Sequence, residues 1–248
     1  CYAPAVVFID VYKREGVPIT IEEARAPMGA HKKVHIRKIS QMPSVRARWR
    51  EVHGQDPNEE DVERMFAAFV PAQMEVLADY ADLIPGTVEA VQAFRDMGLK
   101  IGSTTGYMRN MMDLLREEAR RRGYDPDSSV CAEDVPAGRP EPWMCLENAR
   151  NLRVYPMEAV VKIGDTLPDI DEGLNAGMWT IGLAQTGNEI GLNQEEIAKL
   201  SPDDLQARLD RAYERMARAG AHYVIDGIWD APAVIEQINA RLARGERP

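Results

Sequence analysis

The amino-acid sequence has 248 residues, 45% of them hydrophobic, enough for the core of one large domain or two modest ones. Its 40 Asp and Glu residues outnumber 30 Lys and Arg, and the net charge of -10 argues against a nucleic-acid partner. The cysteines Cys1, Cys131 and Cys145 fit neither a disulfide framework nor a zinc site, so we expect a reduced, cytoplasmic protein. No membrane-length apolar stretch or signal peptide is visible, and we expect no membrane partner.

The first third of the chain has the composition of helices. Helix-forming patterns cover residues 3–15, 43–52 and 58–79. Thr20 and Glu23 have the spacing of a capping box and open a further helix, which Pro27 interrupts. A segment rich in lysine and histidine, residues 31–38, follows. No run in this part has the pattern of a buried strand.

From Pro85 onward the pattern changes to strands alternating with helices. Strands are predicted at 99–104, near 130, and at 159–164, 179–184 and 223–225. Helices are predicted at 87–97, 108–122, 141–152, 203–219 and 231–243. A further helix follows the strand at 159–164 and ends near Gly177. This alternation predicts a parallel sheet wrapped by helices. We therefore expect a helical domain over residues 1–79 and a doubly wound α/β domain over residues 80–248.

Three loops of the α/β part carry candidate functional residues, because ligands gather at the carboxyl ends of parallel strands. Thr105 and Gly106 lie between a strand and a helix, where a hydroxyl and free N–H groups can bind an anion. Arg139, between Gly and Pro just before a helix, is placed to clamp phosphate oxygens. Asp165 and Asp169 follow an apolar strand and suit magnesium. Taken singly, each loop has an ordinary alternative: helix capping or a surface arginine.

The order of these loops resembles the second, third and fourth motifs of the haloacid dehalogenase superfamily. The resemblance implies a haloacid dehalogenase-like α/β core and phosphorus transfer through an aspartyl-phosphate, with Mg2+ as cofactor. It also implies that Thr105 and the Gly106 N–H bind phosphoryl oxygens and that Arg139 neutralises the transferring group. Asp165 would ligate the metal, and Asp169 would position it directly or through a water molecule.

Four further strings resemble the phosphonoacetaldehyde hydrolase family over essentially the whole chain. They are Ile101–Tyr107 (IGSTTGY), Asp134–Pro140 (DVPAGRP), Pro142–Cys145 (PWMC) and Asn175–Thr180 (NAGMWT). This likeness implies that the helical domain is a cap and that phosphonoacetaldehyde is the small-molecule substrate. The cap would contribute the reactive Lys32, with Lys33 as the alternative. Met28, Gly29, His35 and Tyr107 would border the substrate.

The chemical need for Lys32 follows from the bond that is broken. A C–P bond is cleaved only if the departing carbon can delocalise its electrons, and an imine between Lys32 and the aldehyde provides that sink. The amine must be neutral near pH 7, so its pKa must fall by roughly three units or more from about 10.4. We expect burial and the neighbouring His31, Lys33 and His35 to lower it. His35, one turn from Lys32, is a candidate for substrate positioning or proton handling.

The sequence departs from the family at the first motif, a strand that ends in the aspartate nucleophile. Asp10 ends an apolar run but lacks the following Gly-Thr, so we place it on the surface of the first cap helix. We therefore expect the nucleophile segment to be missing from this chain and the chain alone to be inactive. The family likeness also suggests a homodimer through the cap, with Phe8 and Tyr12 as pairing residues.

Two other functions remain open on the sequence. One is a phosphatase or phosphomutase of the same superfamily acting on phosphate esters, a reaction that needs no imine. The other is a non-catalytic relative that lacks the nucleophile. Lys32 discriminates the first alternative from C–P cleavage, and the joint presence of Thr105, Arg139 and Asp165 argues against the second.

Overall fold

The computed structural model describes residues 2–248, with side chains from Pro4 onward. Five helices form the first part of the chain, which we call the helical part. They are α1 (Tyr2–Arg14), α2 (Ile21–Arg25), α3 (Lys32–Ser40), α4 (Pro43–His53) and α5 (Glu59–Leu77). The predicted capping box is confirmed: the Glu23 N–H donates to Thr20 Oγ1 at 3.1 Å and the Thr20 N–H to Glu23 Oε2 at 2.9 Å.

The remaining chain, which we call the α/β part, alternates helices and strands. Its strands are β1 (Gly102–Thr105), β2 (Ser128–Cys131), β3 (Val161–Gly164), β4 (Trp179–Leu183) and β5 (Tyr223–Ile225). Its helices are α6 (Thr87–Asp96), α7 (Arg109–Arg121), α8 (Trp143–Leu152), α9 (Leu167–Asn175), α10 (Gln194–Ala198), α11 (Pro202–Arg218) and α12 (Ala231–Ala243). Among the described residues, no helix is long and apolar enough to cross a membrane.

The strands form two sheets, and every pairing between them is parallel. One sheet contains β1 and β2, and the other has the order β3-β4-β5. Thr104 pairs with Val130 in the first sheet, and Ile163 pairs with Ile181 in the second. This arrangement confirms the predicted α/β class. Because the strands in each sheet are parallel, the candidate residues that follow β1 and β3 lie at the carboxyl ends of their sheets, where ligands bind in α/β folds.

Two large apolar clusters hold these elements together. The first lies among α1 to α5 and includes Phe8, Tyr12 and Phe69, with Met111 of α7 joining from the α/β part. The second joins α6 and α12 to the sheet of β3, β4 and β5 and includes Trp179. We retain a boundary near residue 79 as a proposal.

The expectation that Phe8 and Tyr12 pair with a second copy of the chain is wrong, because neither side chain is accessible. Both are fully buried. The Phe8 ring stacks on Phe69 with 4.4 Å between centroids, and the Tyr12 hydroxyl donates to the Ile36 carbonyl at 2.8 Å. Both belong to the interior of the helical part.

Candidate active site

Lys32 lies in the first turn of α3, and its side chain points into the protein rather than into solvent. The residue is 4% exposed. Its Nζ lies 4.6 Å from the centroid of the Tyr107 ring and 6.0 Å from that of Phe8. Burial, and next the charge of Arg139, lower the pKa of the Lys32 amine to about 7. A substantial fraction of this amine is therefore neutral at pH 7.

We expected neighbours of Lys32 in the sequence to lower its pKa, but the cation that does so lies elsewhere in the chain. Arg139 reaches the site from the α/β part. Burial lowers the pKa of His31 and of His35, so neither imidazole carries a charge near pH 7. Lys33 is turned outward and ion-pairs with Glu63. Burial of Lys32 was predicted correctly, but the charge that lowers its pKa is that of Arg139 rather than those of His31, Lys33 and His35.

His35 lies three residues after Lys32 on α3, is completely buried, and is held in a defined orientation. Its Nε2 donates to the Ala24 carbonyl at 2.8 Å, and its ring stacks on Phe8 with 4.1 Å between centroids. Burial, and next the charge of Lys32, lower the pKa of His35 to about 3. The imidazole therefore stays neutral, and a proton on Nε2 leaves Nδ1 as an acceptor.

The loop between α2 and α3 brings the helical part onto the α/β part. Met28 is buried, and Gly29 has a φ of +93°, a conformation that favours glycine. A Cβ added at Gly29 would lie 2.6 Å from Thr166 Oγ1, and one added at Gly106 would lie 3.0 Å from the Ala30 carbonyl oxygen. The two parts therefore touch through backbone at the position from which Lys32 enters the site.

A buried network of charges lies between the ends of β1 and β3. Arg139 Nε donates to Glu172 Oε2 at 2.9 Å and lies 3.1 Å from Asp169 Oδ1. Lys162 Nζ lies 2.7 Å from Glu172 Oε2 and 3.1 Å from Asp169 Oδ1. Both cations also donate to Thr104 Oγ1 at 2.6 Å. Burial alone would raise the pKa of Asp169, but Arg139 and Lys162 hold it well below its usual range.

Asp165 and Asp169 begin the turn into α9 and differ in their surroundings. Asp165 Oδ2 accepts the Asn188 N–H at 3.1 Å, and burial, followed by the Asp169 carboxylate, raises the pKa of Asp165. Asp169 is the third residue of α9, and its Oδ2 accepts from the N–H of the N-cap residue Thr166 at 3.2 Å and from Thr166 Oγ1 at 2.6 Å. Magnesium commonly takes one or two carboxylates and fills its shell with water and substrate oxygens. Asp165 and Asp169, whose carboxylates repel each other, supply the two carboxylates that such a site needs. The described residues contain no group of three or more His, Cys, Asp or Glu side chains that could hold a metal.

Thr105 ends β1 beside this network. Its Oγ1 accepts the Tyr107 N–H at 3.1 Å, so it shapes the turn that carries Gly106 and Tyr107. The alternative in which Thr105 caps the next helix is wrong: α7 begins at Arg109, and its N-cap position is Met108. The first N–H of α7 donates to Glu133 Oε2 at 2.7 Å.

Two members of the site, Lys162 and Glu172, were not predicted from the sequence. A lysine in the middle of an apolar strand is itself a signal, since an unpaired ammonium is costly to bury. Glu172 follows Asp169 by three residues on α9, which places the two carboxylates on one face of the helix. Tyr107, by contrast, was predicted, and its ring covers Lys32.

Comparison with known proteins identifies the family of the chain. A family model described as haloacid dehalogenase-like hydrolase matches residues 4–177. The chain is 50% identical over 248 residues to a phosphonoacetaldehyde hydrolase of Syntrophobacter fumaroxidans, covering 100% of this chain and 90% of that protein. It is 48% identical over 238 residues to a protein of the same name from Bacillus cytotoxicus, covering 96% of this chain and 90% of that protein.

A solved structure matches over nearly the same length. The crystal structure of a phosphonoacetaldehyde hydrolase-like protein from Oleispira antarctica has a TM-score of 0.96 to this fold at 43% identity, covering 99% of this chain and 89% of that one. The fold and the sequence thus agree on one family. The chain belongs to the haloacid dehalogenase-like hydrolases, and within them it is a relative of the phosphonoacetaldehyde hydrolases.

Proposed function

We propose that this hydrolase cleaves the C–P bond of phosphonoacetaldehyde, giving acetaldehyde and phosphate, through an imine on Lys32. The names of its relatives support the substrate. The observation that carries the mechanism is the buried Lys32 amine, whose pKa of about 7 leaves it nucleophilic at neutral pH. A lysine that only stabilised a phosphate ester would need no such neutral form.

The imine forms at Lys32 before the C–P bond breaks. The neutral amine adds to the aldehyde carbon, and uptake of one proton with loss of water gives a protonated imine. When the C–P bond breaks, its electron pair moves into the carbon framework and neutralises the imine nitrogen, forming an enamine. Protonation of the enamine carbon and hydrolysis of the imine then release acetaldehyde and regenerate Lys32. His35, neutral and fixed by Ala24, orients the segment that carries the amine.

The phosphoryl end of the substrate would meet the α/β part. Arg139, Thr105 and the Gly106 N–H would hold its oxygens, and the fixed guanidinium would offset the charge of the group as it transfers. Magnesium held by Asp165 and Asp169 would supply further neutralisation of this charge. We propose that the phosphoryl group passes to an aspartate, as the family likeness implies, and that water then hydrolyses this aspartyl-phosphate to release phosphate. We do not assign this role to Asp10, which lies on α1 in an ion pair with Arg14 at 2.6 Å.

Trapping with borohydride tests the imine directly. The protein is incubated with phosphonoacetaldehyde and sodium borohydride, and the modified peptide is identified by mass spectrometry. We expect the label on Lys32. An N-ethyl group at that nitrogen shows that the C–P bond broke before reduction, whereas an N-phosphonoethyl group shows trapping before cleavage.

The adjacent lysine provides the matched control. Lys33→Arg should leave labelling and turnover unchanged, because Lys33 is turned toward Glu63. Lys32→Arg should abolish both, since arginine retains the positive charge but cannot form the imine. Labelling at Lys33, or C–P cleavage by the Lys32→Arg variant, would contradict the proposal. Retained hydrolysis of a phosphate ester by that variant would favour the alternative phosphatase.

A further inference from the structure

Arg25, the last residue of α2, joins the helical part to a loop of the α/β part. Its Nη1 donates a hydrogen bond to the Gly191 carbonyl oxygen. Gly191 lies in the β4–α10 loop, which we define as residues 184–193 between those two elements. A hydrogen bond from a charged donor is stronger than one between neutral groups. This contact is separate from the one that Gly29 makes with Thr166.

Three features of Gly191 suit this contact. Its φ is +69°, the left-handed region in which a side chain is strained. A Cβ added there would overlap the Arg25 guanidinium. The residue is also part of a closed turn, because its N–H donates to the Gly187 carbonyl at 3.0 Å. The Arg25 guanidinium therefore packs directly against the backbone of the β4–α10 loop at Gly191.

The opposite side of the same turn lies against Asp165. The Asn188 N–H donates to Asp165 Oδ2 at 3.1 Å, and a Cβ added at Gly187 would lie 2.7 Å from the Asp165 Cβ. The loop is also held from the α/β part, by Glu189 in an ion pair with Arg215 at 2.8 Å. A displacement of this turn would move the N–H that orients the Asp165 carboxylate.

We propose that Arg25 is a positioning residue that links closure of the helical part to the placement of Asp165. When the helical part is closed onto the α/β part and Lys32 is enclosed between them, Arg25 holds the Gly191 carbonyl, and the turn presents the Asn188 N–H to Asp165. When the helical part moves away, the turn loses this support, and the Asn188 N–H is no longer held against the Asp165 carboxylate. The site would thus be complete only when Lys32 is enclosed. The link itself does not depend on the proposed substrate, and it rests on the proposed function only for its effect on turnover.

Amide hydrogen exchange measures the link without substrate. Arg25→Ala should speed exchange in the β4–α10 loop on the order of tenfold, because one charged hydrogen bond no longer holds it. Arg48→Ala is the matched control: Arg48 contacts Glu23 inside the helical part, so exchange in the loop should stay as in the wild type. Arg25→Lys retains a donor and should restore most of the protection.

Binding of Mg2+ alone, followed by calorimetry, tests the last step to Asp165. Arg25→Ala should weaken this binding several-fold, and Arg48→Ala should not change it. Wild-type exchange in the β4–α10 loop of Arg25→Ala would overturn the link to the loop. Faster exchange with unchanged Mg2+ binding would overturn the link from the loop to Asp165. Borohydride labelling of Lys32 is scored separately, so failure of the proposed imine is distinguishable from failure of this link.

Discussion

Lys32 combines a chemical advantage with a cost in stability. An amine whose pKa falls from 10.5 to about 7 on folding destabilises the folded protein wherever the unfolded chain would bind a proton. Between pH 7 and about 10 the unfolded state binds more protons, so stability rises with pH in that window. Below pH 7 both states are protonated and the full penalty remains. The site therefore retains a residue that packing alone would disfavour.

Replacement of Lys32 by Met should raise the free energy of unfolding while it abolishes trapping by borohydride. Methionine fits the apolar surroundings of Phe8 and Tyr107 without a charge. Each pKa unit corresponds to about 1.4 kcal/mol, so the gain should reach a few kcal/mol below pH 7 and vanish toward pH 10. Urea unfolding at pH 6.0 and pH 9.5 measures both values.

The matched variant for this test is Lys33→Met. The Lys33–Glu63 pair is partly exposed, and such pairs contribute about 0–1 kcal/mol, so little change is expected at either pH. A Lys32→Met variant less stable than the wild type at pH 6.0 would mean that Lys32 stabilises the fold as a cation.

Residues near one another in the chain were easier to predict than residues brought together by the fold. Lys32 followed from a family likeness, and its burial followed from the chemistry of the imine. Arg139, which acts on Lys32, lies in another part of the chain, and no local pattern links the two. The same holds for Lys162 and Glu172, whose partner Thr104 lies on a strand of the other sheet.

At the scale of elements, the loop between α2 and α3 decides how the helical part meets the α/β part. Gly29 meets the Thr166 side chain, and Gly106 meets the Ala30 backbone from the opposite direction. Neither contact leaves room for a methyl group without displacement. These glycines therefore set how closely Lys32 approaches Tyr107.

Gly29→Ala should weaken closure and make Lys32 more exposed. Its pKa should then rise toward 10.5, and the pH at which trapping by cyanoborohydride is half-maximal should rise with it. Gly54→Ala is the matched control, because Gly54 has a similar φ of +73° but its added Cβ would meet nothing within 4 Å. Both variants should lose about 1 kcal/mol or more from backbone strain. An equal pH midpoint in the two variants would contradict the role of Gly29.

Helix boundaries were predicted to within a few residues because capping residues, glycines and prolines mark them locally. Strand β1 begins at Gly102 rather than at Leu99, since pairing with β2 starts only there, while Leu99 and Ile101 pack against the second apolar cluster. The five-residue helix α10 was missed, although Asn193 and Glu196 carry the capping-box spacing that marks it. The division into two sheets depends on long-range pairing, which periodicity does not specify.

At the scale of the whole molecule, one buried network connects the two sheets. Lys162 on β3 donates to Thr104 on β1, and Arg139 reaches both Thr104 and the carboxylates of α9. The Glu172 side chain is 0% exposed, and those of Lys162 and Arg139 are each 9% exposed. In such surroundings, removing one partner leaves an uncompensated charge, whereas removing a matched pair does not.

Lys162→Met should therefore destabilise the protein by about 3–5 kcal/mol, because Asp169 and Glu172 would share the single remaining cation, Arg139. The double variant Lys162→Met/Glu172→Leu should recover much of this loss, since Arg139 and Asp169 then form a balanced pair. Urea unfolding followed by circular dichroism gives the coupling from a double-mutant cycle. Arg218→Ala, which breaks an exposed pair with Glu214, should change stability by less than about 0.5 kcal/mol. Strictly additive losses in the double variant would show that Lys162 and Glu172 act independently, and that the two sheets are held together by other contacts.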